Sequence, residues 1–287
     1  MAVTPVRSCW VLANGVRTHY VQCGDSGPAV VLCHGAGPGG SGNAGFRKMI
    51  PALGEHFQVY APDQLSFGLT DVSPHAWPVQ AYQSLVDHVA DFIDALCLDE
   101  VMLAGNSQGA YVAVKYALDH PERVKKLFLI GSGTISNAMG TPMPPSVGMG
   151  ALAGFDGTEQ GMRRFLETVV VDKSSITDAL VLERLANVNR PGVAEARKAF
   201  STARARMEKD PNLFQRFDLR GRLPQMTIPT RFIWGKLDTY APVELGKNLE
   251  KQLPNIPFTY IDGAGHQCQT DQPEVVNSMV KAFFRGV

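Results

Sequence analysis

The pentapeptide at residues 105–109 reads GNSQG, a GxSxG pattern with a serine between two glycines. A serine hydroxyl is a poor nucleophile near neutral pH, so it needs a base to take its proton and an acid to orient that base. Glycines suit a sharp turn between a strand and a helix, where larger side chains would clash. Ser107 is therefore a candidate nucleophile, and a glycine-rich turn with a helix-capping serine is the alternative interpretation.

The base and the acid are expected downstream of Ser107, each just after a predicted strand. His266 follows the apolar run at residues 258–261, and Asp238 follows the run at residues 230–234. The carboxyl ends of parallel strands meet at one edge of a sheet, so the three side chains are expected to lie together. The chain order Ser, Asp, His also matches the order known for serine nucleophiles on open α/β sheets.

Other residues could supply the acid or the base. Asp262 is the closest rival to Asp238, but it lies only four residues before His266 and is expected to belong to a turn. Further histidines lie in an early hairpin, in loops or on helix faces, where solvated or capping roles are the usual interpretation; these are His19, His56, His75, His88 and His120. The pair of Asp238 and His266 is therefore preferred.

A glycine-rich loop at residues 34–37 (HGAG) follows the apolar run at residues 29–33. Backbone N–H groups fixed in advance can stabilise the negative charge that develops on a carbonyl oxygen, commonly by about 3 kcal/mol per donor. The expected donors of this oxyanion hole are the amides of Ala36 and Gln108. Phosphate binding is the rival interpretation, but the Lys-Ser/Thr of a P-loop is missing, and only Asp63 stands near the position of a ribose-binding acid.

Strands and helices alternate along much of the chain in an order that would position these groups. Short apolar runs predict strands, and stripes with helical spacing predict helices. The predicted strands cover residues 8–13 and 16–22, joined at Asn14-Gly15, and residues 29–33, 58–61, 101–104, 126–130, 230–234 and 258–261. Helices are predicted at residues 81–98, from the GNSQG turn to His120, and at residues 243–253 and 273–284. This order favours an α/β fold, with helices on both faces of a mostly parallel sheet.

The alternation stops between residue 132 and about residue 223. A Gly/Pro/Met-rich stretch at residues 139–154 precedes amphipathic helices near residues 159–170, 176–188 and 192–209. We therefore predict an α/β core of residues 1–131 and 224–287, and a helical cap (lid) of residues 132–223 inserted after the fourth parallel strand. Met139, Met143 and Met149 are expected to line a ligand pocket, and ordinary packing is an equal alternative.

Composition bounds the partners and the compartment. Lys plus Arg and Asp plus Glu both number 27, so no overall charge attracts nucleic acid or an anionic membrane. No uncharged stretch approaches the roughly 20 residues of a membrane span, and no export signal is recognised at the N-terminus. The five cysteines are scattered singly, which favours a reducing cytoplasm. We expect a small-molecule substrate, no nucleic acid or membrane partner, no cofactor and no metal; a homodimer or higher homo-oligomer is left open.

Three segments resemble the α/β-hydrolase family, and within it the meta-cleavage product hydrolases. HGAGPGGSG is similar to the oxyanion segment of that group, GNSQGA is similar to its nucleophile turn, and Asn189-Arg190-Pro191 falls in the cap, where the group carries a substrate-binding arginine. The wider resemblance extends over nearly the full chain and implies the α/β-hydrolase fold. The narrower one implies hydrolysis of a carbon–carbon bond in 2-hydroxy-6-oxo-hexa-2,4-dienoates, the ring-opened products of catechol-type dioxygenation in bacterial degradation of aromatic compounds.

The resemblance also implies a role for each site residue. The dienol ketonises, and water then adds at the 6-keto carbon, with Ser107 as nucleophile, His266 as proton shuttle and Asp238 orienting the imidazole. Arg190 would hold the substrate carboxylate by a bidentate pair, and an ion pair with a neighbouring acid such as Glu195 is its alternative role. The implied substrate-binding residues are Gly35, Gly37, Asn43, Arg190 and Gln267.

The chain departs from the family pattern at positions that bear on the substrate. Gln267 stands where the family usually has tryptophan, and Thr239 where it often has arginine; a pocket asparagine of the family maps near Gly45, two positions from Asn43. A carboxylesterase or lactonase, a cofactor-free haloperoxidase and a small-molecule receptor therefore stay open as alternatives. An epoxide hydrolase or dehalogenase is disfavoured, because an aspartate would be expected at position 107.

Overall fold

The computed structural model describes residues 5–286, and its eight strands form one sheet. The strands are β1 (Arg7–Ala13), β2 (Val16–Cys23), β3 (Ala29–Cys33), β4 (Gln58–Pro62), β5 (Val101–Asn106), β6 (Val124–Ile130), β7 (Thr230–Gly235) and β8 (Phe258–Ile261). All eight predicted strands are confirmed, with bounds that differ by at most two residues. Short apolar runs were therefore a sufficient signal for the strands.

The strand order places four strand ends at one edge of the sheet. The order is β1-β2-β4-β3-β5-β6-β7-β8, and β2 runs antiparallel to both of its neighbours while every other pair is parallel. Cys33 at the end of β3 pairs with Gly105 of β5, and Gly235 at the end of β7 pairs with Ile261 at the end of β8. The loops that follow β3, β5, β7 and β8 therefore leave the sheet on the same side, as predicted.

Helices flank the sheet and fill the segment between β6 and β7. They are α1 (Gly42–Phe46), α2 (Met49–Leu53), α3 (Tyr82–Ala95), α4 (Gln108–Asp119), α5 (Gly133–Ala138), α6 (Val147–Ala153), α7 (Glu159–Val169), α8 (Asp178–Val188), α9 (Val193–Met207), α10 (Pro211–Phe217), α11 (Val243–Gln252), α12 (Cys268–Asp271) and α13 (Pro273–Arg285). Among these helices of the described residues, none combines the length and apolar character needed to cross a membrane.

The two faces of the sheet bury separate apolar clusters. Along β3, Val31 and Cys33 join the cluster that packs against α3, α4 and α11, while Val30 and Leu32 join the cluster that packs against α2 and α13. This alternation follows from the two-residue period of a strand, which sends successive side chains to opposite faces. The result is the predicted arrangement of helices on both faces of a central sheet.

The helices α5–α10 occupy the stretch between β6 and β7, where the described chain has no strand. A third apolar cluster holds α7 and α8 together, with Met162, Phe165 and Leu166 packed against Leu180 and Val181. This arrangement supports the predicted cap at residues 132–223, and the division into core and cap stays a prediction. The predicted apolar stretch at residues 139–154 contains the short helix α6.

Candidate active site

Ser107 lies in a strained turn between β5 and α4. Its backbone has φ 58° and ψ −122°, a conformation that costs a non-glycine residue on the order of 1–3 kcal/mol. The Ser107 amide donates to the carbonyls of Ile130 (3.0 Å) and Gly131 (3.1 Å), and these bonds help to hold the turn. A Cβ atom at Gly105 would lie 2.4 Å from the Gly109 carbonyl oxygen, and one at Gly109 would lie 2.0 Å from the Cys33 carbonyl oxygen. Both glycines of the pattern are therefore required by the packing of the turn.

Asp238 and His266 form a buried hydrogen bond beside this turn. His266 Nδ1 donates to Asp238 Oδ2 at 2.8 Å. The other carboxylate oxygen, Oδ1, accepts the amides of Tyr240 (2.8 Å) and Ala241 (2.7 Å). Three donors thus fix the carboxylate of Asp238, and the carboxylate fixes which imidazole nitrogen carries the proton, because it can only accept. The bond to Asp238 leaves Nε2 as the nitrogen of His266 that can accept a proton.

Asn106 links the serine turn to the histidine loop. Its Nδ2 donates to the backbone carbonyls of Ile130 (3.2 Å) and His266 (3.0 Å). The residue next to the candidate nucleophile therefore holds the backbone of the candidate base. Ser107 and His266 also line one small cavity of about 40 Å³. The structure brings together the three residues that the sequence selected, while the rival Asp262 is exposed and pairs with Lys236 at 2.8 Å.

Tyr240 packs on the imidazole of His266, a contact that sequence reasoning missed. The two ring centroids lie 4.7 Å apart at an interplanar angle of 35°. Burial raises the pKa of Tyr240 to about 12, so its phenol is neutral at physiological pH. Tyr240 lies two residues after Asp238, and an aromatic residue so close to the candidate acid was the available signal.

The loop after β3 is organised by His34. His34 Nδ1 donates to the Gly35 carbonyl at 2.8 Å, and Nε2 accepts the amide of Gln64 at 3.1 Å. Burial lowers the pKa of His34, in agreement with a neutral ring that donates on one side and accepts on the other. Ala36 and Gln108, the predicted oxyanion donors, line the same cavity as Ser107. Their role as oxyanion donors stays a prediction.

Two cavities meet at Ser107. The small one contains Gly35, Gly37, Arg184, His266 and Gln267. The larger one has a volume of about 520 Å³ and extends under the helices between β6 and β7. Its apolar wall includes Leu65, Phe67, Leu85, Met143, Met149 and Leu152. Ser107, Ala36 and Tyr240 line both cavities, so a ligand could extend from the nucleophile in two directions.

The structure places Arg184, rather than the predicted Arg190, in the cavity beside Ser107. The Arg190 guanidinium donates to the backbone carbonyls of Gly68 and Thr70, so it braces the loop after β4. Arg184 is 3% exposed; its Nε donates to the Pro38 carbonyl at 2.9 Å. Burial lowers the pKa of Arg184 to about 10, which still leaves it protonated at neutral pH.

The other predicted substrate residues divide between the cavity and its surroundings. Gly37 lies against Arg184, because a Cβ atom there would be 2.8 Å from Arg184 Nη2. Gln267 lines the small cavity, and its Oε1 accepts the Thr270 hydroxyl at 3.2 Å. Asn43 donates instead to Glu183 Oε2 at 3.2 Å, which joins α1 to α8. Within the described residues, no group of three or more His, Cys, Asp or Glu side chains is arranged to hold a metal ion.

Known proteins of one family match this sequence and this fold. The alpha/beta hydrolase fold family matches residues 28–273. The 2-hydroxy-6-oxononadienedioate/2-hydroxy-6-oxononatrienedioate hydrolase of Paraburkholderia xenovorans is 31% identical over 271 residues, 93% of this chain and 90% of the relative. The 2-hydroxy-6-oxo-2,4-heptadienoate hydrolase of Pseudomonas putida is 31% identical over 273 residues, 95% of this chain and 94% of the relative.

A solved structure agrees with these relatives. A mutant of the meta-cleavage product hydrolase CumD from Pseudomonas fluorescens IP01, complexed with acetates, superposes with a TM-score of 0.80 at 28% identity and covers 97% of each chain. The family predicted from the oxyanion segment and the nucleophile turn is therefore confirmed. The chain belongs to the alpha/beta hydrolase fold family and, within it, to the meta-cleavage product hydrolases, which are carbon–carbon bond hydrolases.

Proposed function

We propose that this enzyme cleaves the C5–C6 bond of a 2-hydroxy-6-oxo-hexa-2,4-dienoate, with Ser107 as nucleophile, His266 as base and Asp238 as the acid that orients it. The observation that carries the proposal is the position of Ser107 at the junction of two cavities, one of which holds the buried guanidinium of Arg184. A substrate with a carboxylate on one side of a ketone and an acyl group on the other fits this division.

The small cavity suits the carboxylate end of the substrate. A buried cation is costly unless an anion pairs with it, and a guanidinium can bind a carboxylate through two parallel hydrogen bonds. The Arg184 guanidinium carbon lies 5.9 Å from the centroid of the Phe165 ring, and the bond from Nε to Pro38 restricts its orientation. We assign to Arg184 the substrate-carboxylate role that the sequence had given to Arg190.

The proposed reaction begins with ketonisation, which moves the proton of the 2-hydroxyl to C5. Ser107 Oγ then adds to C6 as His266 takes its proton, and the amides of Ala36 and Gln108 hold the oxygen anion. The C5–C6 bonding electrons move into the departing five-carbon dienol, whose 2-oxygen gains a proton. Water finally displaces Ser107 from C6. One water is consumed, and the products are a 2-hydroxypenta-2,4-dienoate and a carboxylic acid.

Loss of the yellow dienolate absorbance on mixing with enzyme tests the proposal. We expect the parent enzyme to remove the chromophore and Ser107→Ala to lower kcat/KM by at least about a thousandfold, because the variant lacks the hydroxyl that attacks C6 in the proposed reaction. Ser278→Ala, at an exposed position on α13, is the control and should match the parent. Unchanged turnover by Ser107→Ala would contradict the proposal, and release of nitrophenol from a simple ester without dienolate loss would favour an esterase.

The relatives do not agree on the acyl group of the substrate. The names of the two relatives describe a dioate in one case and a heptadienoate in the other, so the matched enzymes act on different acyl groups.

We further propose that the enzyme works in the cytoplasm, which the scattered cysteines of the sequence support. A homodimer or higher homo-oligomer also stays a proposal.

A further inference from the structure

The larger cavity beside Ser107 contains a cation that no acid neutralises. Arg197 projects from α9 into the wall of this cavity, and its guanidinium carbon lies 5.9 Å from the centroid of the Phe67 ring. Within the described residues, Arg197 forms no ion pair with Asp or Glu, in contrast to Arg204 on the same helix, which pairs with Glu208 at 3.4 Å. Arg197 is therefore a half-buried cation that lacks an anionic partner among the described residues.

Polar side chains also lie in the wall of the cavity that Arg197 lines. Thr134, Asn137 and Ser201 line the same cavity and offer hydroxyl and amide groups. Burial lowers the pKa of Arg197, and Tyr240 is the one group among the described residues that opposes this shift. An alkyl or phenyl group in the cavity would displace water from the guanidinium without replacing its hydrogen bonds, which is unfavourable.

We propose that Arg197 binds a second carboxylate, carried by the acyl side of the substrate, and that the enzyme therefore prefers dienoates with a carboxylate at both ends. This inference rests on the proposed function. Arg184 lines the small cavity, Arg197 lines the larger one, and Ser107 lines both, so a substrate held at both ends would pass the nucleophile. Each carboxylate would form charge-assisted hydrogen bonds with its own guanidinium.

The preference defines the second product. Hydrolysis at C6 converts the ketone carbon into a carboxyl group, and the acyl side already carries one. The acid released from the larger cavity is therefore a dicarboxylic acid. The enzyme that consumes it must act on a short dicarboxylic acid, and the ring-cleavage reaction that supplies the substrate must act on a catechol with an acidic side chain.

A pair of substrates with equal chain length tests the inference. One ends in a free carboxylate on the acyl side, and the other ends in the corresponding primary amide. We expect the parent enzyme to favour the carboxylate in kcat/KM by on the order of tenfold to a hundredfold, the range for a hydrogen bond to a charged group. Arg197→Gln should abolish this preference while the amide substrate changes by less than about threefold, and Arg197→Lys should restore part of the preference.

Arg206→Gln is the matched control, because Arg206 lies on the same helix but lines a different cavity. It should keep the preference of the parent enzyme. Cleavage of both substrates with equal kcat/KM by the parent, or an equal loss for both in Arg197→Gln, would overturn the second carboxylate site and leave the proposed function intact. Cleavage of neither substrate would overturn the proposed function and this inference with it.

Discussion

Two arginines near the end of α8 differ in what their guanidinium groups contact. Arg184 is on the helix, almost fully buried, and lines the cavity with Ser107. Arg190 follows the helix and donates to the backbone of residues 68 and 70. Only the first has a guanidinium that a ligand in the cavity could reach. We therefore assign substrate binding to Arg184 and bracing of the loop after β4 to Arg190.

Replacing each arginine tests this separation. Arg184→Gln should lower kcat/KM for the dienoate by on the order of tenfold to a hundredfold, mainly through KM, because the carboxylate loses a charged partner. Arg190→Gln should leave kcat/KM within about threefold of the parent, since it touches backbone carbonyls only. Steady-state kinetics would measure kcat/KM for both variants, and circular dichroism would check that they are folded. A larger loss of kcat/KM in Arg190→Gln than in Arg184→Gln would favour Arg190 as the carboxylate-binding residue, as the sequence had suggested.

The sequence carried a signal for Arg184 that the resemblance obscured. Leu180, Val181, Arg184 and Asn187 are the buried residues of α8, and their spacing is that of one helical face. An arginine on the apolar face of an amphipathic helix must be paired or face a cavity, since a buried charge is otherwise costly. Tyr240, by contrast, could not have been found this way, because its contact with His266 depends on how two loops approach each other.

At the scale of elements, the long strands and helices were predictable and the short helices were not. The helices α1, α2 and α6 have five to seven residues each, too few for a periodic apolar stripe to stand out. They form where capping side chains and tertiary contacts favour them, as when Ser41 accepts the Ala44 amide at the start of α1. The positions of Ser107, Asp238 and His266 after strands were predictable, because strand ends were well marked; their catalytic roles stay a proposal.

Substitution of a glycine in the turn between β5 and α4 tests how closely the backbone packs there. Gly109→Ala would bring a Cβ atom to 2.0 Å from the backbone oxygen of Cys33, and the variant should lose about 3 kcal/mol or more of unfolding free energy. Gly150→Ala in α6 is the control: nothing lies within 4 Å of the new atom, so it should gain roughly 0.5–1 kcal/mol. Urea unfolding measures both, and equal midpoints would contradict the close contact at Gly109.

At the scale of the whole molecule, buried neutral histidines link stability to pH. Burial lowers the pKa of His88 from 6.5 to about 4, and it also lowers the pKa of His34. The His88 ring contacts the Thr18 hydroxyl at 2.8 Å, and its Nδ1 has no hydrogen-bond partner among the described residues. The folded chain therefore resists protonation at this site, whereas the unfolded chain does not.

We expect the free energy of unfolding to fall as the pH drops from about 6.5 toward 4. In this window the unfolded state binds protons that the folded state excludes, so each such histidine costs up to about 1.4 kcal/mol per pH unit. Above pH 6.5 this loss of unfolding free energy is absent, because the unfolded state no longer binds the extra protons. His88→Leu should make the slope of unfolding free energy against pH shallower, and the exposed His56→Gln should leave it unchanged; identical slopes in all three proteins would refute the argument.

The bond from Asn106 to the backbone of His266 has a consequence for how such a protein can diverge. The alignment of Asp238 and His266 depends on Asn106 at the end of β5 and on the amides of residues 240 and 241 in the loop after β7, all of which lie at one edge of the sheet. The two arginines that we propose bind the ligand belong to α8 and α9 instead. Substitutions in α8 and α9 can therefore change which ligand is bound without disturbing the residues that align Asp238 and His266.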